Sequence, residues 1–221
     1  MKCNKSLLKE LSILGKVRLS DSFYMRDMLY SEIASVHGMV NMPVDSEMAI
    51  EAGKGLCENV LEPLQSELGP ISIRSAYRSP EVNSFGNQEG LNCANNENNA
   101  ARHIWDMKDS EGYIGSVACV VVNSFIDWYE RTKDWTALAW WIHDNIPEYS
   151  SQYYFPTNAA CNLGWSSKGD AKKSIKSYVV NPHTGNTKAL ISKGQTVILD
   201  GRSRYYLPWL ESIGFSSTRN T

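Results

Sequence analysis

The sequence predicts an α+β fold in which N-terminal helices pack on a small, mainly antiparallel sheet. Residues 45–68 form a capped amphipathic helical pattern that ends at Gly69, and residues 71–78 then alternate apolar and polar side chains as a strand does. The unbroken apolar run 117–122 indicates an interior strand covered on both faces. Short β-prone segments follow Pro147, so the order is helices first and strands later, which favours α+β over a doubly wound fold.

The other elements follow from periodicity and turn residues. Residues 23–36 place methionine, leucine and isoleucine at three- and four-residue steps and predict a short amphipathic helix. Residues 84–99 hold six asparagines and two glycines and predict a long loop. Residues 134–145 predict a helix that begins at an aspartate cap. The strands expected after it are 152–155, 160–165, 177–180 and 196–199.

Charged residues are distributed unevenly along the chain. The 221 residues carry a formal net charge of −2, which argues against a dedicated DNA-binding protein, and the apolar content excludes a disordered chain. Residues 1–164 hold 13 basic and 21 acidic side chains, whereas residues 165–221 hold 9 and 3. We therefore expect an N-terminal arm (1–22), a main domain (23–165) and a basic extension (166–221) that packs on the domain or on a neighbour.

Targeting signals are lacking in the sequence as given. No stretch approaches the length of a membrane span, and Glu10 interrupts the only leucine-rich segment near the N-terminus, so no secretory signal is predicted. The five cysteines form no CxxC pair, as expected of reduced thiols. These features predict synthesis in the cytoplasm.

Candidate catalytic residues centre on one histidine. The chain lacks a GxSxG elbow, a P-loop and a GxGxxG motif after a strand. His103 is followed by Asp106 and Asp109, and imidazole and carboxylate groups are zinc ligands. The alternative is a histidine at a helix start that hydrogen-bonds a nearby aspartate. His143 is expected near a helix end, where a charged imidazole would suit the helix dipole.

Three segments of the first half resemble one enzyme family. They are SEIASVHGMVNMP, LEPLQSELGP and IRSAYRSPEVN, and a polar segment leading to His103 follows them. In order and spacing they resemble the zinc D-Ala-D-Ala carboxypeptidases, which share a fold with the hedgehog signalling domain. The resemblance extends to about Trp165 and implies a hedgehog/DD-peptidase-like fold.

The resemblance also implies a chemistry. The family cleaves terminal D-Ala or a cross-link in peptidoglycan, with zinc held by His, Asp and His and a glutamate that activates the metal-bound water. His103 matches the first ligand. Arg78 matches an arginine over the active site, and Ser75 the serine beside it, which makes both candidates for the substrate pocket.

The remaining family motifs depart from the pattern. The position seven residues after His103, where the family has its aspartate, is Ser110. If an insertion displaces that strand, Cys119 stands in the aspartate's place. Residues 151–165 contain neither Glu nor His, so that Asn162 stands near the last ligand, and Phe155 or Pro156 stands near the catalytic base.

Two hypotheses follow. The first is a structural or binding protein with a degenerate zinc site, whose partner is peptidoglycan or another protein subunit and which belongs to a phage particle. The second is an active zinc-dependent peptidoglycan peptidase that uses His103, Asp106 or Asp109, and His143. Neither hypothesis includes specific nucleic-acid binding, and the viral association comes from the habits of the family.

Overall fold

The computed structural model describes residues 4–169, 172–185, 189–192 and 201–215. Within them, six strands form one mixed sheet, in the order β1-β2-β4-β3-β5-β6. Neighbouring strands are antiparallel except β3 and β5, which are parallel. The strands are β1 (Ile71–Ser75), β2 (Gly115–Val122), β3 (Ser151–Tyr154), β4 (Cys161–Ser166), β5 (Ser174–Ser177) and β6 (Ala189–Ile191). The predicted α+β class is confirmed.

Helices make up most of the remaining described chain. A π-helical turn, Cys57–Leu61, joins α4 to α5, and a 3-10 turn, Asn123–Phe125, precedes α8. The helices are α1 (Lys5–Leu14), α2 (Met25–Met28), α3 (Glu32–His37), α4 (Ser46–Leu56), α5 (Glu62–Leu68), α6 (Pro80–Gln88), α7 (Asn96–Asn99), α8 (Ile126–Thr132), α9 (Thr136–Asn145) and α10 (Ser203–Ser212). None of these helices is long and apolar enough to span a bilayer, a finding restricted to the residues just given.

The helix predicted over 45–68 is confirmed as α4, the π turn and α5. The Asp45 side chain accepts a hydrogen bond from the Met48 amide at 3.0 Å, which satisfies one of the free N–H groups of the first turn. The helix ends at Leu68, and Gly69 has a φ of 83°, a value that glycine adopts without strain. Its apolar stripe is buried against the sheet, as the periodicity requires.

One face of the sheet carries the core. Strands β2 and β4 pack under α4, where the Ser116 hydroxyl donates to the Ala52 carbonyl at 2.6 Å. Strand β3 lies under α9, where the Gln152 amide donates to the Ala139 carbonyl at 3.2 Å. On the other face Val117 and Val121 are buried as well, as predicted for a strand covered on both faces, whereas Cys119 is partly exposed. We call this second, partly exposed face the open face.

The helix expected over 23–36 is interrupted. Two short helices, α2 and α3, replace it, because Ser31 begins a new helix by accepting from the Ala34 amide at 3.3 Å. The Leu29 carbonyl accepts instead from the Asn41 side chain at 2.9 Å. A long-range hydrogen bond thus ends the first helix where the apolar spacing alone would continue it.

The loop expected over 84–99 is found only over 89–95, and the rest of the range is helical. Helix α6 occupies residues 80–88, with Ser79 as its cap, and α7 occupies 96–99. Asparagine side chains hold this segment together through tertiary hydrogen bonds, and the centre of this network is Asn83, which is fully buried. High asparagine content lowers helix propensity but supplies amide donors and acceptors, which the fold uses internally.

The C-terminal part contributes to the same sheet. The strand expected over 177–180 is shifted to β5, which pairs with β3, and the one expected over 196–199 lies outside the described residues. Helix α10 was not among the predicted elements, and Pro208 lies inside it, where proline disfavours a helix. It packs on α9, and the buried Trp209 ring contacts Phe125 edge-on at 4.8 Å between centroids. Tertiary packing therefore outweighs the low local propensity.

Candidate functional site

A row of side chains crosses the open face in register. Ser75 lies opposite Cys119, Cys119 opposite Asn162, and Asn162 opposite Tyr153. Tyr153 is paired in turn with Lys176 on the parallel strand β5. A register shift between Ile73 and Ser75 brings Ser75, rather than Arg74, opposite Cys119. Directly paired residues point to the same face, so these side chains line one track over five strands, about 19 Å long at roughly 4.8 Å per strand. We call these five residues the polar row.

The thiol at the centre of the row is uncharged. Cys119 is partly buried, and this burial raises the pKa of its thiol to about 11, although the positive charge of Arg74 acts in the opposite direction. A protonated thiol is a weak nucleophile and a weak hydrogen-bond donor. At neutral pH, Cys119 therefore behaves as a small, weakly polar group beside the amide of Asn162.

An aromatic cluster stands at the β3–β5 end of the row. Tyr153 and Tyr178 stack with ring centroids 4.7 Å apart and planes 22° apart, and Phe155 lies 5.8 Å from Tyr153 and 5.4 Å from Tyr178. Tyr178 is 53% exposed. Burial and a hydrogen bond with Tyr178 raise the pKa of Tyr153 to about 12, so the Tyr153 phenol is neutral near pH 7.

His103 is held in one orientation beside strand β1. Its Nδ1 lies 2.8 Å from the Ala76 carbonyl oxygen and donates to it, and its own carbonyl accepts from the Arg78 amide at 2.8 Å. Burial, together with the charges of Arg78 and Arg102, lowers the pKa of the imidazole to about 3. The ring is neutral, and its Nε2 hydrogen-bonds to no other residue within the described ranges. A backbone carbonyl on Nδ1 is the support that metal-binding histidines commonly have.

The two aspartates after His103 do not join it. Residues 101–106 form turns rather than a helix. Asp106 accepts from the Tyr77 hydroxyl at 3.1 Å and from the Val44 amide at 2.7 Å. Asp109 accepts from the Glu111 and Tyr113 amides, both at 2.9 Å, and closes its own turn. Both carboxylates therefore stabilise loops, one of them beside the start of α4.

His143 lies in the helical layer. It is in the last turn of α9, on the helix-covered side of the sheet, and its Nδ1 is hydrogen-bonded to the Tyr149 hydroxyl. Burial and the charges of Arg202 and Lys173 lower the pKa of its imidazole to about 4. The imidazole is thus neutral near pH 7, which contradicts the helix-dipole interpretation.

Arg78 belongs to the asparagine network. Its Nη1 donates to the Asn83 side chain and contacts the Cys93 sulfur, both at 3.0 Å. This geometry holds the guanidinium toward α6. Ser75, the other pocket candidate, lies at the β1 end of the polar row.

The set of donor groups at the family's ligand positions is incomplete for zinc, because a neutral amide stands in one of them. Cys119 and Asn162, which the resemblance aligns with the aspartate and the last histidine, are direct partners across β2 and β4. Asparagine offers only a neutral amide, and Phe155, near the position of the base, belongs to the aromatic cluster. Among the described residues, no three His, Cys, Asp or Glu side chains come together as a metal-binding group.

Several residues of this surface lacked a recognisable sequence signal. Lys176 and Tyr178 do not belong to any of the motifs, and the strand that carries Lys176 was expected three residues later. Buried and partly exposed residues alternate along 151–154 in the structure, but the sequence SQYY has no matching alternation of apolar and polar residues. Comparisons of the chain with models of protein families, with curated proteins and with solved structures found no significant match.

Proposed function

We propose that this protein is a recognition protein on a peptidase-like scaffold, which binds peptidoglycan or another protein subunit on the open face without cleaving it. The observation that carries the proposal is the polar row. It occupies the place where the resemblance puts catalytic groups, yet its central members are a protonated thiol and a neutral amide.

The chemistry of the row favours binding over hydrolysis. General acid–base groups contribute roughly 10²–10⁴ in rate, and neither Cys119 nor Asn162 supplies one near neutral pH. Asp106 and Asp109 are engaged by backbone amides. Hydroxyl, amide and aromatic groups that lie side by side on a partly exposed strip are suited to contact a ligand. As a component of a phage particle, such a surface would attach the particle to a cell wall or to a neighbouring subunit.

Purified cell-wall sacculi test this proposal directly. We expect the protein to co-sediment with them and to release neither D-Ala nor soluble wall fragments on prolonged incubation with added zinc. Asn162→Asp, which places a charge in the row, should weaken sedimentation, and Asn98→Asp, an exposed change on α7, should not. The proposal is contradicted if D-Ala is released, or if both variants co-sediment with sacculi as well as the unchanged protein does.

A second candidate function rests on His103. Its Nδ1–carbonyl hydrogen bond leaves Nε2 as the lone-pair donor, which favours a zinc-dependent peptidase that uses His103 with a rearranged ligand set. Zinc analysis of the purified protein distinguishes the two candidates. Stoichiometric zinc that is lost in His103→Ala but kept in His37→Ala, an exposed histidine, would support the peptidase.

A further inference from the structure

The ends of the polar row carry positive charge, whereas its middle is neutral. Lys176 is exposed beside Tyr153 at one end. Arg74 is exposed at the β1 end, and its charge reaches the Cys119 thiol. Four strand spacings, about 19 Å, separate the two ends. A ligand that follows the row therefore meets two widely separated cations rather than a continuous basic groove.

The aromatic cluster adds a stacking surface next to one of these cations. More than half of Tyr178 is exposed, and its ring is already stacked on Tyr153. A further ring can extend this stack on the exposed side. The C–H groups of a sugar ring carry partial positive charge and are attracted to the negative face of a tyrosine ring. The adjacent hydroxyl and amide groups of the row, on Ser75 and Asn162, can both donate to and accept from sugar hydroxyls.

The charge density argues against a nucleic acid. Nucleic acids carry one phosphate per nucleotide, and proteins that bind single strands combine stacking aromatics with many closely spaced cations. Here the row has cations only at its ends, and the chain as a whole carries a formal net charge of −2. A ligand polymer with hydroxyl groups, apolar ring faces and sparse anionic groups fits this pattern better than a nucleic acid does.

We propose that the open face binds an acidic polysaccharide, whose sugar ring stacks on Tyr178, whose hydroxyls contact Asn162 and Ser75, and whose anionic groups pair with Lys176 and Arg74. This inference rests on the proposed function, because it uses the same face and names the ligand class. It differs from that function in requiring no peptide in the ligand.

Isothermal titration calorimetry with soluble polygalacturonate tests the inference at physiological salt, about 150 mM. We expect binding that weakens roughly tenfold in Tyr178→Ala, through loss of stacking and buried area, and roughly three- to fivefold in Lys176→Gln. Two exposed residues that belong neither to the polar row nor to the aromatic cluster provide matched controls. Tyr30→Ala (55% exposed) and Lys9→Gln on α1 should leave the affinity unchanged.

Neutral and nucleic-acid polymers complete the experiment. Dextran should bind more weakly than polygalacturonate. Lys176→Gln should reduce the difference in affinity between the two polymers. The inference is overturned if poly(U) binds more tightly than polygalacturonate, or if dextran binds as tightly as polygalacturonate. It is also overturned if Tyr178→Ala leaves the affinity for polygalacturonate unchanged. If sacculi bind and polygalacturonate does not, the inference fails while the proposed recognition function stands. If neither binds, the inference and the cell-wall form of the proposed function both fail.

Discussion

Asn83 is the residue whose removal should destabilise the fold most clearly through hydrogen bonding alone. Its Oδ1 accepts from the Arg78 guanidinium at 3.0 Å and from the Asn99 side chain at 2.8 Å. Its Nδ2 donates to the Ala94 carbonyl at 2.9 Å and to the Asn96 side chain at 2.8 Å. The residue is fully buried, so the Asn83→Ala substitution removes four hydrogen bonds from the interior at once.

The magnitude follows from what the partners can do afterwards. A buried polar group left unsatisfied costs about 1–3 kcal/mol. Arg78 and Asn96 are partly exposed and can turn to water, and Asn99 has a second, longer contact with Ala94 at 3.4 Å. Asn99 and the Ala94 carbonyl keep this one long contact with each other, so the loss amounts to about one unsatisfied buried group, or about 2 kcal/mol. For a chain of this length, that is a decrease in Tm of roughly 4–8 °C.

Urea unfolding followed by circular dichroism measures this quantity. The matched control is Asn98→Ala, because Asn98 lies in the same asparagine-rich segment, is exposed and contributes its backbone amide to the Asn95 cap. The control should change the free energy of unfolding by less than about 0.5 kcal/mol. The reasoning is refuted if Asn83→Ala loses under about 1 kcal/mol, or no more than the control.

Three further predictions concern the helix α4 and the buried imidazole. Asp45→Ala should lower the free energy of unfolding by about 1 kcal/mol, because it removes the cap, and Glu47→Ala, in the same turn, should cost less in the same urea titration. Gly55→Val should cost about 1–3 kcal/mol, because a Cβ at Gly55 would overlap the Trp165 ring; an unchanged urea midpoint would contradict this packing. The pKa of His103 is about 3 in the folded protein, below its value in the unfolded chain. At a pH between these two pKa values the imidazole takes up a proton only when the protein unfolds, so the free energy of unfolding falls as the pH drops. From pH 7 to pH 5 this loss is about 2 kcal/mol, and His103→Gln should flatten the pH dependence of the urea midpoint by that amount.

Local chemistry explains the elements that could be predicted. The cap at Asp45, the left-handed Gly69 and the apolar periodicity between them act within one or two helical turns, so they are visible in the sequence. Strands β1 and β2 were recognisable for the same reason. The errors in 23–36 and 84–99 arise where side chains distant in sequence satisfy backbone or amide groups, as Asn41 and Asn83 do.

The candidate site shows the same division. His103 was identified by residue type, and its tautomer follows from one hydrogen bond to Ala76, 27 residues earlier. Asp106 was a candidate ligand because it lies three residues later. Its carboxylate instead accepts from the amide of Val44, 62 residues away. Spacing along the chain indicates which groups are near each other only where the segment is regular, and this one is a series of turns.

By itself, the sequence determined the α+β class, the best helix with both its ends, and the absence of acidic or histidine ligands from 151–165. Only the tertiary structure decided that Ser75, Cys119, Asn162, Tyr153 and Lys176 form one row. These residues come from five strands that are not adjacent in the order of the chain, because β4 lies between β2 and β3. Strand order and register depend on which apolar faces pack together over the whole sheet, and no short stretch of sequence contains that information.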